Sequence, residues 1–406
     1  MNLVFIAPFA FSPKATVSAR MLPMADALVH RGHMVTILIP PYDNPSDSGR
    51  HWTDHGVRIE NLQDNRGATT ALAFGRLAWQ LAERAIALHP DAIHVFKPVG
   101  PGALAMFLLQ RRGLRNLILD NDDWEGRGGW LDINPYPLLQ KWVMAWQEKW
   151  CIAHAAAVTC ASDVLAARSS AFAAPGTSIR VMPNGPARIL REQAATARSR
   201  RDTLRTQFGW ENQRILIYAG TVPANHDLDI AIQAVSTARQ DFIAVRWVII
   251  ASGAGFPALK SAVTQAGLSD IVEYHAFMPH DQLVERLAAA DIALYPYRDT
   301  NINRAKCAGK VVDYMACGLP AVVSDVGMNA TYIENGRSGV LTEAGNAVAF
   351  TSALVRLLAA PADTLRMGQA AQQRIWECFG WDQRIGALED IYRYRAKGIQ
   401  GNFASP

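Results

Sequence analysis

The chain is poor in cysteine, in net charge and in long apolar runs, and each shortage excludes something. Its five cysteines (Cys151, Cys160, Cys307, Cys317, Cys378) are odd in number and scattered, with neither CxxC spacing nor a partnered histidine cluster. That pattern argues against a disulfide framework and a zinc site, and a reducing, cytoplasmic setting is expected. The formal net charge is only +4, and it is nearly balanced on either side of residue 183. Nucleic-acid binding needs a dense basic stripe to displace counterions, so DNA and RNA are not expected as partners. The local exception is the stretch from Arg188 to Arg205, six arginines against Glu192 and Asp202, which reads as a solvated helical linker or a face for anionic lipid or phosphate. No run approaches the ~18 apolar residues of a membrane-spanning helix. Met1 to Phe11 lacks a basic n-region and a small-residue cleavage site, so it reads as a first strand and not as a signal peptide. The loop after it, Pro8 to Ala15, holds no GxGxxG, which disfavours a nicotinamide or flavin dinucleotide enzyme.

What is present is alternation. Apolar β-rich runs at Leu3 to Ala7, Val35 to Pro40, Val57 to Leu62, Ala92 to Phe96, Leu117 to Asp120, Ala157 to Cys160 and Ile179 to Met182 are separated by amphipathic helical stretches. A second series follows Pro183-Asn184-Gly185, with runs at Ile215 to Ala219, Val245 to Ala251, Ile271 to Tyr274, Ile292 to Tyr295 and Ala321 to Ser324. Strand-helix alternation implies parallel sheets covered on both faces. The expectation is an α/β chain with two tandem Rossmann-like doubly wound domains facing a cleft: 1–183, 184–380, and a final helical segment, 381–406, returning to the first domain. Ligands of such sheets bind at the carboxyl ends of the strands, so chemistry belongs in the strand-to-helix loops.

The most distinctive stretch is Asn301 to Leu341, NINRAKCAGKVVDYMACGLPAVVSDVGMNATYIENGRSGVL. Asp313, Met315, Ala316, Cys317, Gly318, Pro320, Val322, Val323 and Ser324 match, and Gly327, Ile333, Gly336 and Gly339 follow in step. This resembles the nucleotide-sugar site of the family-four retaining glycosyltransferases of the two-Rossmann-domain (GT-B) type. A bland reading, a helix stopped by Gly318 and Pro320, explains the punctuation but not the charged residues before it. On one continuous helix, Lys306, Lys310 and Asp313 would share a face. One carboxylate can accept hydrogen bonds from both ribose hydroxyls, which suits Asp313. A lysine beside a departing diphosphate offsets charge that grows as the sugar leaves, which suits Lys310 first and Lys306 second.

The resemblance implies more, and it has departures. Gly220 matches, but Thr221 stands where the family commonly has arginine and His226 where it has lysine. Phe277 and Met278 fall in the turn that holds the base. Ala305 stands at the family's sugar-supporting glutamate, eight residues before Asp313, so Asn301, Asn303 or Arg304 would take over sugar contacts. In the first domain, Lys14 and Ser12 lie beside a helix N-terminus that could face an anion. Asp122 and Asp123 occupy the place of the family's His-Asp pair, near sugar and acceptor. Asp120 and Asp122 also form a D-x-D, which elsewhere holds Mg or Mn; here the resemblance implies no metal and no other cofactor. Trp142, Trp146 and Trp150 recur every four residues beside Lys141 and Lys149, and either pack on the sheet, the expected outcome, or seat in a lipid interface.

Taken together, these imply a metal-independent, retaining transferase that moves a sugar from a nucleotide diphosphate to a glycan, lipid or small-molecule acceptor. It would work in the cytoplasm with at most weak peripheral attachment to a membrane. A sugar-nucleotide epimerase, a sugar phosphorylase and a non-catalytic nucleotide-sugar-binding subunit are the alternatives.

Overall fold

The computed structural model describes residues 1–12, 14–64, 70–224, 226–242 and 244–400, with side chains to residue 393. The chain divides into two units: Met1–Asn184 with Ala305–Cys307 and the residues from Trp381 on, and Gly185–Arg304 with Ala308–Gly380.

Unit 1 holds strands β1 (Asn2–Ile6), β2 (Met34–Ile39), β3 (His51–Asp54), β4 (Val57–Asn61), β5 (Ala92–Phe96), β6 (Leu117–Asn121), β7 (Ala157–Cys160) and β8 (Ser178–Val181). They form one sheet in the order β3-β4-β2-β1-β5-β6-β7-β8. Every pairing is parallel except β3 with β4. The inner strands β5 and β6 are buried at every position, as expected where helices cover both faces. β3 was not foreseen. It is short, half-exposed and joined to β4 by His55 and Gly56, both at positive φ (47° and 82°), the backbone of a tight hairpin turn. The helix Trp381–Gln400 buries Trp381, Ile385, Leu388 and Tyr392 in this unit's core. Its Glu389 accepts from Arg31 at 2.6 and 2.8 Å and lies 2.8 Å from His33.

Unit 2 holds β9 (Arg214–Thr221), β10 (Val245–Ser252), β11 (Val272–His275), β12 (Ile292–Tyr295), β13 (Ala321–Asp325) and β14 (Val340–Glu343), ordered β11-β10-β9-β12-β13-β14 and parallel throughout. The arginine-rich stretch is not a solvated linker. It forms the helices Arg188–Ser199 and Arg201–Phe208. Arg201 donates to the carbonyls of Ala288 and Ala290, Arg205 to that of Ala289, and both pair with Asp291. Those carbonyls end the helix His280–Ala289, where acceptors lack partners and cations are favoured.

Two further expectations are corrected, and one alternative finds no support. The helix expected to carry Lys306 and Lys310 together is two, Asn301–Ala305 and Gly309–Ala316, so Lys306 shares no helical face with Lys310 and Asp313. The tryptophan row does not pack on the sheet as a whole: Trp142 and Trp146 are exposed and only Trp150 is partly buried. The D-x-D does not present two open carboxylates, because fully buried Asp120 is gripped by Arg20 at 2.7 Å on both oxygens and accepts from Thr159 at 2.6 Å.

Arg20 also donates to the Met182 carbonyl at 3.0 Å and to Asn184 at 2.9 Å. Removing one partner of a buried ion pair strands the other, at about 3 to 5 kcal/mol. Arg20→Leu therefore lowers stability by about that amount in urea unfolding, and adding Asp120→Leu recovers part of the loss. A single-variant loss under about 1 kcal/mol would show the pair to be dispensable.

Candidate active site

In an open parallel sheet the crevice forms where strand order reverses. In unit 2 that point lies between β9 and β12. β9 pairs with β10 along its whole length but with β12 only at Leu216 and Ile217, so the two strands part beyond that point. The freed backbone of Ala219 is taken by Tyr314: the Ala219 N–H donates to its hydroxyl at 2.9 Å, and the hydroxyl donates to the Ala219 carbonyl at 3.2 Å. This clamp holds the helix Gly309–Ala316 beside the end of β9.

Next to the clamp, Lys310 donates to Asp313 at 2.9 Å, and His280 Nε2 lies 3.4 Å from the other carboxylate oxygen. Burial works to raise the Asp313 pKa, but Lys310 and His280 outweigh it and hold the carboxyl well below its usual range. Asp313 in turn raises the imidazole of His280. The result is a fixed anion flanked by a lysine and a histidine, His280 being half-exposed and Lys310 one-third exposed. His280 follows Met278 by two residues, but its partner could not be read from spacing. In the same loop, Phe277 is 71% exposed and Met278 half-buried, which leaves an aromatic face open to a planar ligand.

The remaining expected donor residues separate. Thr221 ends β9 and is exposed. His226 accepts from the Leu228 amide through Nδ1 at 3.3 Å, in the turn before the helix Asp229–Asp241, and so retains one ring nitrogen, not two, to offer a phosphate. Asn303 is 6% exposed and donates to Asp227 at 3.1 Å and to the Arg298 carbonyl at 2.9 Å. Arg304 forms a bidentate pair with Asp299 at 2.5 and 2.8 Å on the surface. Lys306 lies in the segment Ala305–Cys307 of unit 1. Ala305 itself is 1% exposed, belongs to that unit's core and accepts from Ser162 at 2.8 Å through its carbonyl.

In unit 1 strand order reverses between β1 and β5. The residue after β5 is Lys97, which sequence reasoning missed. It is 3% exposed and held at φ 63°, a conformation uncommon outside glycine. Its ammonium lies 3.2 Å from Asp122, 2.5 Å from Asp123 and 2.7 Å from Glu125. The structure thus brings Asp122 and Asp123 together around a cation. Lys14 pairs with Asp43 at 3.5 Å and lies over the ring of Phe9 at 4.2 Å. Burial depresses the charge of Lys97, but the three carboxylates outweigh it and hold the ammonium well above its ordinary pKa. One cation cannot balance three anions: burial first, with Asp123 and Asp120 beside it and Lys97 opposing, pushes Asp122 up to about 7.

Two open parallel sheets with function at their strand ends define the GT-B class of glycosyltransferase fold. Two family descriptions match: "Glycosyl transferases group 1" over residues 200–374 and "Glycosyl transferase 4-like domain" over residues 16–185. The first match falls in unit 2 and the second in unit 1, so each unit resembles a glycosyltransferase domain. It is 25% identical over 195 residues to a D-inositol 3-phosphate glycosyltransferase of Streptomyces bingchenggensis, an alignment covering 46% of this chain and 42% of that protein; the match therefore spans less than half of the relative's length. Among solved structures, sucrose-phosphate synthase from Thermosynechococcus elongatus shares the fold with a TM-score of 0.76 at 16% identity, covering 98% of this chain and 99% of that one. The Anabaena HepE protein in complex with UDP and glucose does so with a TM-score of 0.70 at 17% identity, covering 96% and 99%.

A carboxyl that titrates at about 7 when folded and at ~3.9 when unfolded binds its proton more tightly in the folded state. Stability then falls as pH rises between those values. Asp122→Asn lacks this component, so in urea unfolding it gains on wild type from about pH 4 to about pH 8. Parallel stability curves would show that Asp122 does not titrate there.

Proposed function

We propose that the chain transfers a sugar from a nucleoside diphosphate sugar to an acceptor hydroxyl, with retention of anomeric configuration and without a metal. The observation that carries this reading is the Lys310–Asp313–His280 group clamped by Tyr314 at the strand-order reversal of unit 2. Asp313 stays ionised and accepts hydrogen bonds from the ribose hydroxyls, with lone pairs beyond those facing Lys310 and His280. Lys310 offsets the charge that grows on the diphosphate as the glycosidic bond breaks, and the half-exposed imidazole of His280 adds to the same field. The exposed ring of Phe277 offers a stacking face to the base. The UDP and glucose in the Anabaena HepE structure support a nucleotide sugar as donor.

On the acceptor side, we assign Asp122, Asp123 and Glu125 around Lys97 to hydroxyl recognition. In a retaining transfer the donor phosphate oxygen takes the acceptor proton on the face where the new bond forms, so no side-chain base is required. The free thiols of Cys151, Cys160 and Cys317, all buried, suit the reducing cytoplasm we assign to the protein.

Loss of one charged contact costs ~1.5 to 3 kcal/mol, roughly ten- to hundredfold. Asp313→Ala and Lys310→Ala each therefore lower donor hydrolysis, measured with a panel of nucleotide sugars, by about that factor while the unfolding midpoint stays close to wild type. Wild-type turnover in either variant refutes this placement of the donor. A transferase gains rate when acceptor is added; an epimerase shows none, and a phosphorylase answers to inorganic phosphate instead.

Chelator leaves the rate unchanged on this reading, because lysine and helix amides supply the positive field. Activity abolished by EDTA and restored by Mg or Mn would require a metal-held diphosphate instead.

A further inference from the structure

No step of glycosyl transfer uses the outward face of the helix Leu138–His154 in unit 1. Successive helical residues turn by about 100°, so Leu138, Leu139, Trp142, Trp146 and Lys149 fall on one side. Gln147, Glu148 and Cys151 fall on the other side and are buried, and buried Ile152 lies at the flank. Exposure on the outer side is 87% at Leu138, 74% at Leu139, 61% at Trp142 and 38% at Trp146. It decreases along the helix because a residue every fourth position drifts by about 40°, bringing Trp146 and Trp150 against Phe107 at 6.2 and 5.2 Å between ring centroids. Of the twelve exposed large apolar side chains among the described residues, five lie between Ile133 and Trp146. A cluster of that kind marks an interaction surface, whereas single exposed apolar residues do not.

Charge selects the occupant. Lys149 is exposed on the same side, half-buried Lys141 lies about 60° beyond Leu138, towards the inward side, and Arg111, also exposed, follows Phe107 by one turn. The helix's only acid, Glu148, points inward and pairs with Arg168 at 2.6 Å. In the preceding turn, Asp132 accepts from the Gly128 amide at 2.7 Å. An apolar row with tryptophans at its centre and lysines beside it, on a helix that lies along the surface, has the composition of a bilayer interface. No single helix among the described residues is long and apolar enough to cross a membrane.

We propose that this face docks on an anionic lipid bilayer, and the docking stands independently of the glycosyl-transfer reading.

The test is flotation of the full chain with phosphatidylcholine vesicles, with and without phosphatidylglycerol. Wild type floats with the anionic vesicles and less so as salt is raised. Leu139→Ser/Trp142→Ser weakens the association about tenfold or more, because two apolar side chains are lost from the lipid. Lys149→Glu, which leaves the apolar row intact, weakens it as well and separates lost docking from lost folding. No flotation with either vesicle, or equal flotation of wild type and both variants, overturns the proposal. So does a wild-type dimer that the double substitution makes monomeric without any vesicle binding, since the face would then join two copies of the chain. Donor hydrolysis without vesicles is measured on the same samples and stays at the wild-type rate in both variants. Its absence from wild type would remove the glycosyl-transfer reading while leaving the flotation result to stand.

Discussion

A carboxylate without solvent must be answered by a cation, and in unit 1 that requirement organises the strand ends. Asp120 has no exposed surface, and its partner Arg20 comes from the segment after β1. The same guanidinium reaches the Met182 carbonyl and Asn184 as the chain leaves β8. Asn184 donates in turn to the Cys307 carbonyl at 2.8 Å. One ion pair thus links the segment after β1 with β6, the exit from β8 and the short stretch Ala305–Cys307. Two residues past Asp120 the requirement recurs with a different balance. Lys97 is one ammonium among three carboxylates, and burial, with Asp123 and Asp120 beside it, raises the Asp122 carboxyl to about 7. The first arrangement is electrically closed and structural. The second is left unbalanced, which is the condition under which a group can exchange protons or bind hydroxyls.

Unit 2 repeats the contrast. Asp227 and Asp229 are both held by the guanidinium of Arg298, and Asp227 also by Asn303; they brace the loop after β12 against the start of the helix Asp229–Asp241. Asp313 is also paired, and its partners Lys310 and His280 are themselves partly open to solvent. A ligand hydroxyl or phosphate can therefore join the group without breaking a buried pair. Arg298 is exposed to a similar degree; what sets the groups apart is that its one guanidinium is shared by two carboxylates, whereas Lys310 and His280 both serve one.

Strand runs such as LILDN and AIHVF were legible because burial on both faces forces continuous apolar sequence. β3 was not, since HWTD is short, alternates and depends on a His-Gly turn. The break before Lys310 was hidden because Lys306, Lys310 and Asp313 satisfy helical spacing. What interrupts the helix is the placement of Ala305 in the core of unit 1, a tertiary fact that periodicity cannot carry. The same burial gives the missing glutamate at that position a physical account: the site of Ala305 admits a methyl group and offers no water to a carboxylate. The arginine stretch misled for a related reason. Its charge read as solvation, while the groups it answers are carbonyls and Asp291, more than eighty positions away in sequence.

The most informative motif carries two meanings at once. In DYMACGLP the helix stops by a Schellman arrangement: Gly318 at φ 66° donates to the Met315 carbonyl and Leu319 to that of Tyr314. A second helix lies close against this stop, since a side chain on Gly368 would collide with the Gly318 carbonyl. Reading the motif as punctuation is therefore correct. Yet residues adjacent on a helix point about 100° apart, so Asp313 and Tyr314 serve different neighbours. Tyr314 turns to the parted edge of β9 and fixes the helix there; Asp313 turns to Lys310 and His280. The stop sets where the helix ends, the tyrosine sets which strand it lies against, and together they leave the carboxylate beside the strand-order reversal. A local signal for chain termination and a site for chemistry share the same residues because positioning one side chain to a fraction of an ångström requires the helix beneath it to be fixed at more than one point.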